Sequence, residues 1–453
     1  VSAARGSKPE PPNYELDIES FDHEGRGVGR HDGKVVFVEG ALPGERVSCR
    51  VLRSKKNHEL AEAVGILRRS SAREIPRCPH FGKCGGCSSQ HMDLRSQVAA
   101  KQRVLEDNLW HIGRVKADTM LPAIHGPAWE YRYKARMGVR LVLKKGGMLV
   151  GFHERKSSFV ADMDSCEILP QRISRLLLPL RELIGGLSIR DRMPQIELAI
   201  GDNVDVMVLR NLDAPSPADE AALAEFAATH GVQFWLQPKG PETAYPCFPP
   251  TAPALTYSLP EFDVEMPFEP TDFTQVNHQI NRLLVRRAMQ LLQPQPGERI
   301  ADFFCGLGNF TLPIARLGAT VLGVESNTRL VERARANAVH NGLAEHSEFA
   351  AGNLFETGVP ALAAFGKFDK VLIDPPREGA LELVKALRES SIILPPARIV
   401  YVSCSPSTLA RDAGMLCHES EPNAYKLTAA GVINMFPHTS HVESIAVFEL
   451  RQT

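Results

Sequence analysis

From Thr271 to the carboxyl end, short apolar runs alternate with amphipathic segments. That alternation narrows the outcome more than any other feature, because it specifies a parallel sheet covered by helices on both faces. Between Gln279 and Leu292, residues Ile280, Leu283, Leu284, Ala288, Leu291 and Leu292 fall at helical spacing, and Pro294 and Gly297 end the helix. Strands are expected at Arg299 to Phe303, Thr320 to Val324, Lys370 to Ile373 and Arg398 to Val402, with Ser444 to Phe448 closing the sheet. Open sheets of this kind take their ligands at the carboxyl ends of the strands. Two stretches with chemistry in them fall there.

The first runs from Ala301 to Phe310, a strand followed by the turn Gly306-Leu307-Gly308 and then a helix. Glycines let the backbone approach a ligand closely. Glu325 ends the next strand, where a carboxylate can hold two ribose hydroxyls. Thr311 stands where a dinucleotide fingerprint has its third glycine, which argues for a nucleoside without phosphates, such as S-adenosylmethionine. Asn353, after a third strand, is a candidate for the adenine, and Asp374 of Asp374-Pro375-Pro376-Arg377 faces the same crevice. The second stretch is Val402-Ser403-Cys404-Ser405-Pro406, with Ser405 expected at the N-cap of a helix and Pro406 in its first turn. A helix dipole acting on Cys404 is expected to favour the thiolate, the nucleophilic form.

Composition bounds what the rest can be. A chain of 453 residues has room for about three domains of about 150 residues each. Lys+Arg 52 against Asp+Glu 53 leaves a net charge of -1, so affinity for nucleic acid must come from local basic patches. One is Arg46, Arg50, Arg53, Lys55 and Lys56, in a strand-rich, glycine-punctuated region from Tyr14 to Leu67 that reads as a small β-barrel. Another opens at Tyr131-Arg132-Tyr133-Lys134-Ala135-Arg136, where guanidinium groups suit phosphates and rings suit bases. In between, Leu94, Val98, Leu105, Leu109 and Ile112 share one helical face. A proline-rich, acidic stretch puts a boundary near Pro260, so the chain divides at 13–72, 73–260 and 261–453. Val1 to Pro12 reads as a disordered polar tail, and no run approaches the ~20 apolar residues of a membrane span.

Nine cysteines scattered along the chain point to a reducing, cytoplasmic setting and not to a disulfide framework. Cys78, Cys84 and Cys87 follow as Cys-x5-Cys-x2-Cys, a metal-binding spacing, with Cys166 the best fourth ligand. Spacing alone leaves zinc and an iron-sulfur cluster both open.

Together these residues resemble the bacterial RNA uracil-5-methyltransferases, most closely the 23S ribosomal RNA branch. The resemblance spans nearly the whole chain. It is carried by Phe273-Thr274-Gln275-Val276-Asn277, Asp302 to Phe310, Asp374 to Gly379, Tyr401-Val402-Ser403-Cys404, and Phe436 to Glu443. It implies an N-terminal OB-like TRAM barrel that binds RNA, a central α+β iron-sulfur domain and a C-terminal Rossmann-like methyltransferase domain. It implies a [4Fe-4S] cluster on Cys78, Cys84, Cys87 and Cys166, and S-adenosylmethionine on Gln275, Phe304, Asn309, Glu325, Asn353 and Asp374. By the same carry-over Cys404 is the nucleophile and Glu443 the base in methylation of uracil C5 in 23S ribosomal RNA. A monomer with no obligate protein partner is expected. So is a structural cluster, because methyl transfer has no electron-transfer step. The chain departs from the family pattern at Ser405, where Asn is frequent, and at Asn434, where Asp is frequent.

Three rival readings follow from the same residues. Asp374-Pro375-Pro376 is similar to the motif that orients an exocyclic amine, although Arg377 stands where such enzymes carry an aromatic. An RNA-binding iron-sulfur protein with an inactive methyltransferase fold is the second. A transfer RNA substrate is the third, disfavoured by the barrel and the cluster, which the family's transfer RNA branch is expected to lack.

Overall fold

Residues 13–251, 253–389, 395–418 and 423–451 are described in the computed structural model; the tail expected at Val1 to Pro12 lies outside them. Strands Asn13–Asp17, Ser20–Phe21, Gly27–His31, Lys34–Glu39, Arg46–Ser54 and His58–Arg68 form the first sheet. Alternation sends Leu16, Ile18, Val36, Val38, Val47, Cys49 and Ala61 into a shared core. Gly29 sits where backbones press together, since a Cβ there would strike Leu16 and the Asp17 carbonyl. Arg46 and Arg50 of the basic run pair with Glu15 and Glu62 on neighbouring strands. Arg53, Lys55 and Lys56 are exposed.

The second sheet runs in the order Tyr245–Phe248, Val232–Gln237, Asp205–Arg210, Gln195–Ile200, Lys134–Val142, Gly147–Gly151. Helices Leu177–Gly186 and Pro217–His230 contribute Leu177, Leu180, Ile184, Leu223 and Phe226 to its core. The second helix starts at a capping box, in which Ser216 and Asp219 each accept the other's backbone N–H, and stops at Gly231 with φ +65.

The third sheet has eight strands in the order Ser347–Ala351, Thr320–Glu325, Arg299–Phe303, Lys370–Ile373, Arg398–Ser403, Glu443–Leu450, Tyr425–Ile433, Thr119–Met120. The first five are parallel, and their inward residues, from Ile300 to Val402, are almost all buried. Two expectations change here. The last strand does not close the sheet: Tyr425–Ile433 lies beyond it, antiparallel, and Thr119–Met120 adds an edge from far upstream. The upstream helix Leu94–Asn108 and the π-turn Leu109–Gly113 share a core with this sheet through Leu105 and Leu109. Its buried face also differs from the apolar stripe expected, for Gln97 and Lys101 are buried while Ile112 is 50% exposed. The wider π-turn rotates Ile112 off the stripe, and Gln97 and Lys101 find buried acceptors.

Candidate active site

Register assembles the site. Phe303 pairs with both Val324 and Ile373, and Ile373 with Tyr401, so Phe304, Glu325, Asp374 and the end of Arg398–Ser403 lie along one edge. Ser403 pairs with Ser444 on the antiparallel strand. Continuing that register by one residue sets Cys404 beside Glu443. A thiol and a carboxyl group are thus neighbours at the mouth of the sheet.

Cys404 joins its strand to the helix Pro406–Cys417, with Ser405 at the N-cap and Pro406 at the first position, as the sequence suggests. The Ser405 hydroxyl does not cap the helix; it lies 3.2 Å from that of Ser407, while the Ser405 N–H donates to Ser403 Oγ at 3.1 Å. The expected thiolate is not what these surroundings favour. Burial, then Glu443 and Asp374, push the Cys404 thiol up to about 12, with Arg377 opposing. Nearby negative charge and desolvation outweigh a helix dipole worth about 0.3–1 kcal/mol. Cys404 opens into a pocket lined by Arg377, Ser405, Ser407, Ser440 and His441, with Asn108 and Ile112 from the upstream helix and turn and His23 and Glu24 from the first sheet.

Glu443 is 6% exposed and lies just behind His441 and Val442 of that pocket wall. Burial and then Asp374 push its carboxyl up to about 8, against Lys101 and Arg377. Asp374, half-buried at the end of its strand, is raised to about 7 by desolvation. Asp412, overlooked in the sequence, ties the loop after Asp374 to the helix after Cys404: it accepts from the Ala380 N–H at 2.8 Å and from the Tyr401 hydroxyl at 2.7 Å.

The glycine turn is built as its residues require. Gly306 and Gly308 take φ +54 and +93, and Phe304, unusually for a residue with a side chain, takes φ +67. Thr311 has a reason to replace glycine, since its hydroxyl donates to the buried Asp302 at 2.5 Å. Glu325 accepts from the Gly306 N–H at 3.3 Å and from the Asn327 N–H at 3.0 Å, which fixes its carboxylate over the turn. Asn309 makes a reciprocal amide pair with Asn281 at 2.9 and 3.0 Å and accepts from the Tyr257 hydroxyl at 3.0 Å. Its side chain is therefore engaged in holding the turn against the helix His278–Leu292. Asn353 is exposed and accepts from the Phe355 N–H at 3.1 Å, and Phe355 meets Phe304 edge to face at 5.6 Å between ring centres. Gln275 is half-buried, two residues after Phe273, which is 70% exposed.

Cys78, Cys84, Cys87 and Cys166 line one small cavity with Phe81, Phe152, Met163 and Ile168. Burial pushes the thiols of Cys87 and Cys166 up to about 12 and raises those of Cys78 and Cys84, and each of Cys84, Cys87 and Cys166 feels at least one other thiol of the set. Among the described residues no three His, Cys, Asp or Glu side chains are grouped as a single metal ion needs. The four sulfurs share this cavity, and the charge of a thiolate-bound metal group there would reverse the shifts.

The chain is similar to proteins of known kind along its length. Residues 13–64 match the TRAM domain, and residues 294–446 match a methyltransferase domain. The 23S rRNA (uracil(1939)-C(5))-methyltransferase RlmD of Aromatoleum aromaticum is 64% identical over 95% of this chain and 98% of its own. The protein of the same name from Burkholderia pseudomallei is 61% identical, over 96% and 94%. A crystal structure of the Pyrococcus abyssi tRNA (uracil-54, C5)-methyltransferase with S-adenosyl-L-homocysteine superposes with a TM-score of 0.72, at 25% identity, covering 96% of this chain and 99% of that one. Because that transfer RNA enzyme is covered almost end to end, the overall architecture, the barrel region included, does not by itself separate the two RNA targets. Sequence identity does.

Proposed function

The chain belongs to the 23S ribosomal RNA (uracil-C5)-methyltransferase family, and from that premise we infer that Cys404 and Glu443 carry out the addition and the elimination on a uridine of 23S ribosomal RNA. The uridine named in its relatives, 1939, is the one we assign to it. S-adenosylmethionine supplies the methyl group as a sulfonium.

C5 of uracil is a poor nucleophile until C6 is occupied. The Cys404 sulfur adds to C6, and the C5–C6 electron pair becomes an enolate that takes the methyl group at C5. Arg377 is the cation facing Cys404 and offsets the negative charge of Asp374 and Glu443 as the thiol gives up its proton to solvent in the pocket. Glu443 then removes the C5 proton, the double bond re-forms, and the C6–sulfur bond breaks to release the thiolate. A carboxyl group raised towards neutrality by burial has the proton affinity this step needs. Glu325 would accept from the ribose hydroxyls, Asp374 and Phe304 would meet the cofactor along the same sheet edge, and Gln275 would add a further contact. Asn309 supports the turn from behind, and Asn353 reaches the ligand from the exposed loop.

The four thiols of Cys78, Cys84, Cys87 and Cys166 would hold a [4Fe-4S] cluster in their cavity, where it supplies cross-links between segments. Basic groups such as Arg53, Lys55 and Lys56 suit RNA phosphates. Among the described residues no helix is long and apolar enough to cross a membrane.

The observation that carries this reading is the strand register that places Cys404 beside Glu443. It is tested by mixing the protein, S-adenosylmethionine and ribosomal RNA fragments containing 5-fluorouridine. Fluorine cannot leave as a proton, so a covalent RNA adduct should accumulate and map by mass to Cys404. Intact cofactor binding with no adduct would sink the reading and return an amine as the methyl acceptor.

A further inference from the structure

Lys101 is a buried cation at a place where none is needed for solubility. It lies on the helix Leu94–Asn108, outside the methyltransferase segment, and is 4% exposed. Its ammonium donates to Asn434 Oδ1 at 2.7 Å and to the Phe436 carbonyl at 2.8 Å, at the start of the loop that leads to Glu443. Both acceptors are neutral. A buried ammonium held only by neutral groups is costly, and sequences keep such a charge where it acts on something. The charged group it faces is Glu443. Strand pairing of Ile433 with Glu443 fixes that relation, because Asn434 follows one residue of the pair and Lys101 is bonded to Asn434.

We propose that Lys101 is a positioning residue for the methylation: its ammonium offsets the burial of the Glu443 carboxyl group and so favours the ionised, proton-accepting form in the elimination step. This rests on the reading of Glu443 as the base. The groups that face Glu443 are Asp374 and Cys404 from the strand ends, Arg377 from the loop after Asp374, and Lys101 from the upstream helix. His438 and His441, on the loop itself, also feel Lys101, which disfavours their protonation. Asp374 raises the proton affinity of Glu443 and Arg377 lowers it, but Arg377 is exposed and water screens it. Lys101 is the cation shielded from water. Burial lowers the proton affinity of Lys101, and Glu443 opposes that fall only in part. Residue 434 carries an amide, so no carboxylate there competes with Glu443 for the ammonium.

The test follows proton loss from C5 in full-length, cluster-loaded protein, using RNA carrying tritium at C5 and single-turnover conditions from pH 6 to pH 10. In Lys101→Met the acid limb of tritium release should move up by about one pH unit or more, with release about tenfold slower on that limb. Lys101→Arg should hold the limb near its original place. Asn434→Asp guards against misfolding: it preserves the acceptor for Lys101 and removes an amide Nδ2 that is buried without a partner. It should also shift the limb upward, since the added carboxylate takes up the ammonium charge. If Lys101→Met and Asn434→Asp both slow release by a constant factor with the limb unmoved, Lys101 merely anchors the loop and the proposal fails. Formation of the Cys404 adduct with 5-fluorouridine RNA by the same variants tells this failure apart from a failure of the assigned chemistry.

Discussion

A group that must take a proton from carbon works best when its own proton affinity lies near the working pH, and Glu443 is placed to meet that demand. Burial raises its carboxyl to about 8. The base must be ionised to act, so the elimination rate should rise with pH and level off above about 8, not near the ordinary carboxylate range of about 4. Glu443→Gln removes the base and leaves Cys404 in place. It should lower turnover by about a hundredfold or more while the methylated adduct builds up on natural uridine RNA, visible on a denaturing gel. Turnover without adduct in that variant would remove Glu443 from the chemistry. At this scale the sequence was informative where a residue's role follows from its place along the chain. The strand-to-helix position of Cys404 and the carboxylate of Glu325 at a strand end could both be read directly. It was silent on Lys101, Asp412 and Asn281, whose partners are distant in sequence, and it misjudged the Cys404 thiol because a local dipole is legible while charges brought in by other strands are not.

The same division holds for whole elements. Four of the five parallel strands announce themselves as apolar runs, and each was found close to its expected place; Ser347–Ala351 was expected only as a strand somewhere before Asn353. Tyr425–Ile433 was missed because Ala429, Ala430 and Gly431 lack the β-branched and aromatic signal, although Ala430 is fully buried between neighbours. The helix Leu94–Asn108 was legible, but not its destination. What seats it is a close approach of backbones: the turn Leu109–Gly113 crosses the helix Pro406–Cys417, and a Cβ on Gly113 would run into the Ala410 carbonyl, while one on Gly414 would meet the Gly113 carbonyl. Gly113→Ala should therefore push these two elements apart. The cost expected is about 1–3 kcal/mol of stability, read as a lower midpoint in denaturant. Because the second of these helices begins just after Cys404, adduct formation should slow as well, by about tenfold or more. An unchanged midpoint and adduct rate would mean that the two elements are not held by this contact.

Across the whole molecule, segments far apart in the sequence converge on one loop, the residues between Ile433 and Glu443. Ser88 and Ser89, directly after Cys87, donate their N–H groups to the His438 carbonyl at 2.9 and 3.0 Å. Gln97 accepts from the His438 N–H at 2.8 Å, Tyr131 donates to the Pro437 carbonyl at 3.0 Å, and Trp129 stacks on the His438 ring at 3.9 Å. Composition and patterning announced three regions, but contacts between residues more than 300 positions apart leave no trace in either. This convergence gives the proposed cluster a task without electron transfer. Its ligand loop, Cys78 to Cys87, runs straight into the two serines that clamp the loop before Glu443. Removing the iron, by chelation or by Cys84→Ala, should free that clamp while leaving the Glu325 edge of the third sheet intact. S-adenosylmethionine should then bind as before, the melting temperature should fall by several degrees, and turnover should drop by about tenfold or more with the Cys404 adduct still forming. Iron content, cofactor affinity and the ratio of adduct to product, measured on one preparation, check all of these together. Turnover that survives loss of the iron would show that the cluster does not hold the loop. Turnover lost on mild oxidation, with iron, fold and RNA binding all retained, would assign the cluster a redox role instead of a structural one.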